Sequence, residues 1–131
     1  MNNQEAFEKS VKHCLEQGVK SMDGVHCLYA GPNETACAIG CLLPRELSKK
    51  LDKVGPSVDY LTGVAELVGH LHTQKEAIFE ARELLKGVTP SLLRELQSIH
   101  DTCRLEEWPA EFSALARVHG LEMPQQGTCN E

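Results

Sequence analysis

The sequence predicts a mainly α fold: a compact single-domain helical bundle with a small two-stranded β-hairpin near residues 25–37. Three observations carry that expectation. Apolar residues recur at helical spacing along most of the chain, glycine or proline closes those runs, and the helical period is lost between Val25 and Cys37. The chain's 131 residues suffice for one core, and 41% hydrophobic with 24% charged residues is a globular balance, not a disordered one. A single domain over residues 1–123 is expected, with a flexible C-terminal tail over 124–131.

Each element has its own warrant. Residues 3–17 place Phe7, Val11, Cys14 and Leu15 on one helical face, with Asn2 or Asn3 as cap and Gly18 as stop. From Val25, alternation of Val25, Cys27 and Tyr29 with His26 and Leu28 reads as a strand. The Gly31-Pro32-Asn33-Glu34 segment reads as a turn, and Thr35–Cys37 as the returning strand. Ala38–Leu43 reads as a short helix buried on nearly all sides. Gly40 within it marks the close approach of another backbone or a ligand. Pro44 opens a helix carrying Leu47 and Leu51. Residues 59–71 show a helical period weakened by Gly63 and Gly69, and exposed hydrophobes there would permit a homo-oligomer. His70 and His72 are expected to cap its C-terminus. Residues 74–86 form a strongly periodic helix, and Thr89-Pro90 is a helix start. That next helix lines up Leu92, Leu93, Leu96, Ile99, His100 and Cys103. Asp101 lies about 100° around the wheel from His100, so the two need not bond. Trp108–His119 closes the fold before Gly120.

Charge and hydropathy exclude several functions. Thirteen Lys and Arg against 19 Asp and Glu leave a net charge of −6, which disfavours duplex nucleic acid as a partner. No apolar run approaches the roughly 20 residues of a membrane span, so no membrane partner is expected. The N-terminus carries no basic-then-apolar leader, and a cytoplasmic location follows as an expectation. The six cysteines are then expected to be thiols, mostly packed as small hydrophobes, with Cys129 exposed in the tail.

Three kinds of chemistry are readable. Zinc could be held by Cys27, Cys37 and Cys41 with His100, although the two tight knuckles of most structural zinc sites are missing. A cysteine nucleophile would be Cys37, near a helix start, with His100 and Asp101 as base and orienter. An anion or nucleotide-like ligand could meet the turn before the short helix, with Tyr29 stacking on a base and Arg45 in reach. The last is preferred, so the expected ligand-binding residues are Tyr29, Asn33, Thr35, Cys37, Gly40, Arg45, His100 and Asp101. No catalytic residue and no cofactor is expected, zinc being the alternative.

The run Cys27-Leu-Tyr-Ala-Gly-Pro-Asn, continuing into Cys37-Ala-Ile-Gly-Cys-Leu-Leu-Pro44, resembles a group of small phage- and prophage-encoded proteins of unassigned function. Gln17-Gly18, Lys20-Ser21, Leu93–Asp101, Trp108 and Ala116–Leu121 extend the resemblance over residues 5–121. Ala30 stands where those proteins often carry a basic residue, and Asn33-Glu34 replaces an Asp-Gly turn. The resemblance implies a phage accessory protein in the host cytoplasm that acts by binding. Counter-defence or host regulation is the expected role, through sequestering a nucleotide-like signal or inhibiting a host protein. A zinc-stabilised Cys/His interaction domain and, behind it, a cysteine-based enzyme are the alternatives.

Overall fold

The computed structural model describes residues 1–23 and 26–124. Six α-helices follow one another: α1 (Asn3–Gln17), α2 (Arg45–Asp52), α3 (Val58–Thr62), α4 (Lys75–Leu85), α5 (Pro90–Thr102) and α6 (Trp108–His119). The C-terminal tail expected from residue 124, Cys129 included, lies outside the described residues beyond Pro124.

Helix α5 is the axis of the molecule. Leu92, Leu93, Leu96, Ile99 and His100 are all buried along it, an apolar stripe wide enough to meet α1, α3 and α6 together. Phe7, Val11 and Cys14 of α1 and Trp108 and Phe112 of α6 fill one side. On the other side α4 packs between α2 and α3, and Leu51, Leu61 and Ile78 join the same core. Helix α1 begins as expected, with the Asn2 side chain and Glu5 forming a reciprocal capping box. At Thr89 the hydroxyl does not cap α5. It accepts from Asn3 Nδ2 at 2.9 Å while Asn3 Oδ1 receives the Thr89 N–H, joining the first turns of α1 and α5.

Among the described residues, the hairpin expected at 25–37 does not form. Pro32–Glu34 is a 3-10 turn, with Asn33 and Glu34 both left-handed, and residues 35–37 are irregular. The nearest strand-like feature is an antiparallel contact of two residues a side, Met22 with Cys27 and Asp23 with His26, too short to form a sheet. Side chains from the helices take the place of a partner strand. Asp52 accepts the Tyr29 and Ala30 N–H groups, one on each carboxylate oxygen and both at 2.8 Å. Gln17 receives the Ala36 N–H at 2.9 Å and donates back to its carbonyl at 3.0 Å. The Arg45 fork donates to the Gly31 and Thr35 carbonyls. The backbone of this loop is thus satisfied without a ladder.

Three further expectations need correction. Residues 59–71 are not one helix: α3 stops where Gly63 turns left-handed at φ 83°, leaving Val64 and Val68 exposed, and a 3-10 segment resumes at Gly69–Gln74. His70 and His72 belong to that segment and sit on the surface, capping no α-helix. The buried stretch after Cys37 is a single 3-10 turn over Gly40–Leu42, not a helix over 38–43. Gly40 does mark a close approach. A Cβ there would run into the Tyr29 carbonyl and its Cα, so the loop and the turn cross backbone on backbone.

Candidate functional site

The residues expected to bind a ligand separate into two places. Tyr29, Asn33, Thr35, Gly40 and Arg45 belong to the loop just described, and the side chains of Tyr29, Thr35 and Arg45 bond its own or neighbouring carbonyls, while that of Asn33 is exposed. Tyr29 is buried, and its hydroxyl donates to the Pro56 carbonyl, so its ring cannot stack on a base. Thr35 Oγ1 donates to the Pro32 carbonyl at 2.7 Å. Arg45 is held by its two carbonyls, and its Nε, buried without a hydrogen-bond partner, lies 3.6 Å from the exposed carboxylate of Glu34.

His100 and Asp101 lie elsewhere, where α5 faces the Cys27–Tyr29 segment and the Gly55–Val58 turn. A cavity of about 210 Å3 opens there, lined by Cys27, Tyr29, Cys37, Pro56, Gln97 and Asp101 among others. A second lobe of about 280 Å3 adjoins it through Ser57, Val58, Gln97 and Asp101 and runs on to Arg94, Ser98 and Thr102. Together they form one groove along α5.

His100 stands behind this groove, fully buried and stacked on Trp108 with ring centroids 5.5 Å apart. The Ser21 N–H donates to its Nε2 at 3.2 Å, which leaves the proton on Nδ1 to be donated to Asp101 Oδ1 at 2.9 Å. The two side chains, which neighbouring helix positions alone need not bring together, therefore bond directly. Gln97 Nε2 donates to the same Oδ1 at 2.7 Å. Burial alone would raise the Asp101 carboxyl, but hydrogen bonds from His100, Cys27 and Gln97 together outweigh it and hold the group below the usual carboxylate range. Both nitrogen donors end on Oδ1. Oδ2 receives neither of them, the Cys27 thiol also bonds the carboxylate, and Asp101 lines both lobes of the groove.

The thiols are poor nucleophiles in this setting. Burial, and then the Asp101 carboxylate beside it, push Cys27 up to about 12. Burial pushes Cys37 to about 12 as well, despite the Gly40 N–H that its sulfur accepts at 3.2 Å. Cys37 is 1% exposed and starts no helix, so the position that suggested an activated thiol gives it none. His100, with one nitrogen taken by Ser21 and the other by Asp101, has no lone pair to offer as a base.

The proposed zinc set does not assemble either. Cys41 Sγ donates to the Ala38 carbonyl and Cys37 Sγ accepts from Gly40. Among the described residues, the metal-ligating side chains that do converge are Cys27, His100 and Asp101, whose donor atoms lie within 4.8 Å of one another. A cation there would need Nδ1 stripped of its proton and Nε2 given one. That proton would then point at the Ser21 N–H, donor against donor in a buried site. The trio fits an internal hydrogen-bond network better than a zinc site.

Several contributors escaped the sequence reading. Asp52 and Gln17 looked like ordinary helix surface, and nothing local marks a side chain that will replace a strand. Arg94, Gln97, Ser98 and Asp101 had a readable signal, since spacings of three, four and seven place them along one side of a helix otherwise rich in leucine. Comparisons of the chain with protein-family models, with curated proteins and with solved structures give no match.

Proposed function

We propose that this chain is a small binding protein whose ligand seat is the groove along α5, and that its ligand is nucleotide-like. The observation that carries the reading is the contrast in hydrogen-bonding capacity within the site. Asp101 is kept ionised by a buried histidine, yet lines a cavity whose other walls include Leu28, Tyr29, Pro56 and Val58, and its Oδ2 takes neither nitrogen donor. A small, partly apolar cavity with a few polar groups suits a heterocycle held by hydrogen bonds at its edge, not by stacking on Tyr29. Thiols raised to about 12 and a histidine without a free nitrogen favour binding over catalysis. The likeness of residues 5–121 to phage accessory proteins supports a role in counter-defence or host regulation, by sequestering such a signal in the host cytoplasm.

Thermal-shift titration against nucleotides and cyclic oligonucleotides tests this. A ligand at about 100 times its dissociation constant adds about 2.7 kcal/mol of stability, a shift of several degrees for a domain of this size. No shift with any member of the panel overturns the reading. Zinc and cobalt(II) belong in the same screen. A stoichiometric cobalt–thiolate absorption band would restore the zinc-stabilised alternative.

A further inference from the structure

Arg94 and Asp101 lie seven residues apart on α5, two turns or about 10 Å along one helix face, with Gln97 and Ser98 between them. Asp101 ends that strip at the narrower lobe of the groove and Arg94 ends it at the wider one. The strip is bipolar, an acceptor-only oxygen at one end and a guanidinium at the other. Arg94 is paired with Asp59 at 3.0 Å, but both side chains are substantially exposed. Such a pair contributes little and exchanges readily for a better anion. Ser57 and Ser98 hydroxyls line the stretch between, both on exposed residues.

We infer that the groove takes a nucleoside monophosphate in one polarity, with an exocyclic amino group of the base donating to Asp101 Oδ2 and the phosphate against Arg94. This rests on the nucleotide reading above and adds to it the class of base and the direction of binding. The distance from the amine of an adenine to its 5′-phosphate is comparable to the two turns that separate the ends of the strip. Because an ionised carboxylate can only accept, the Asp101 end selects amino-bearing bases and rejects those with a carbonyl at the same position. The planar Arg94 fork suits a phosphate.

The network behind Asp101 makes a reversal of selectivity available. In Asp101→Asn the amide oxygen stays with the two donors, His100 Nδ1 and Gln97 Nε2, which turns the NH2 to the place of Oδ2. A donor then faces the groove where an acceptor stood. Calorimetric titration of the full chain with adenosine 5′-monophosphate and inosine 5′-monophosphate reads this out, since the two differ by an amine against a carbonyl. The native protein is expected to favour the adenine nucleotide at least tenfold, and Asp101→Asn to favour the inosine one. Arg94→Ala should abolish the advantage of adenosine 5′-monophosphate over adenosine while leaving the preference for adenine over inosine. Equal affinity for both nucleotides, or an unchanged preference in Asp101→Asn, overturns this inference and leaves the nucleotide reading standing. Failure of both nucleotides, and of every other nucleotide in the thermal screen, overturns the two together. A preference that inverts cannot come from a variant that merely folds badly.

Discussion

The loop from Tyr29 to Arg45 and the groove along α5 are neighbours that share Tyr29 and Cys37, yet they use polar residues in opposite ways. In the loop, Asp52, Gln17 and Arg45 reach out from helices to close backbone hydrogen bonds, and of the Arg45 fork only Nε is left over. In the groove, the buried His100 and half-buried Gln97 fix one oxygen of Asp101, and of the groups around it only the Cys27 thiol competes for the other. A sequence rich in turn formers and polar groups therefore marked the scaffold, and a quieter helix face holds the candidate seat. Capacity for recognition follows from hydrogen bonds not made internally, not from the density of polar residues.

Substitutions can break that comparison. Arg45→Met should cost stability and leave groove binding alone, while Arg94→Ala should do the reverse. Gly40→Ala should be the most damaging, because its Cβ meets the Tyr29 backbone rather than a flexible side chain. A loss of about 3 kcal/mol or more in urea unfolding is expected. Asp52→Ala strands the Tyr29 and Ala30 amides and should cost about 2–3 kcal/mol. Arg45→Met frees two carbonyls, one of which, that of Thr35, also accepts the Gly31 N–H. It should cost about 1–2 kcal/mol, with nucleotide affinity unchanged. If Arg45→Met weakens binding as much as Asp101→Asn alters it, the division between scaffold and seat is wrong. Arg94→Ala should change stability by less than about 0.5 kcal/mol, so any effect on affinity is read cleanly.

Acid supplies a further test. The Asp101 carboxyl titrates below its ordinary value in the folded protein. The unfolded chain thus binds the proton first as pH falls. The stabilisation from ionised Asp101 is complete above the unfolded value, about 3.9, and disappears as pH drops through the lowered folded value. Replacing Asp101 by Asn should flatten the acid limb of a stability–pH curve below about pH 4. An unchanged limb would show that the carboxylate gains nothing from His100, Cys27 and Gln97.

Much of the helical fold was legible. The capping pair at Asn2 and Glu5, the Gly18 and Gly120 stops and the apolar stripes of α1, α4, α5 and α6 are local signals, and local signals survive folding. Residues 59–71 misled because period alone cannot weigh two glycines that both turn left-handed. Residues 25–37 misled because alternation describes an extended chain, and an extended chain need not find another strand. His100 was legible as an inward residue and Asp101 as its neighbour in sequence, but their bond depends on the Ser21 amide, 79 residues away, choosing the tautomer.

By itself, the sequence determined α1, α4, α5 and α6, their ends and a close approach at Gly40, since propensity, caps and steric size act over a few residues. Only the tertiary structure decided which polar groups would be consumed. Hydrogen-bond partners of a loop or a carboxylate come from distant segments, and a group's freedom to bind is whatever those segments leave over.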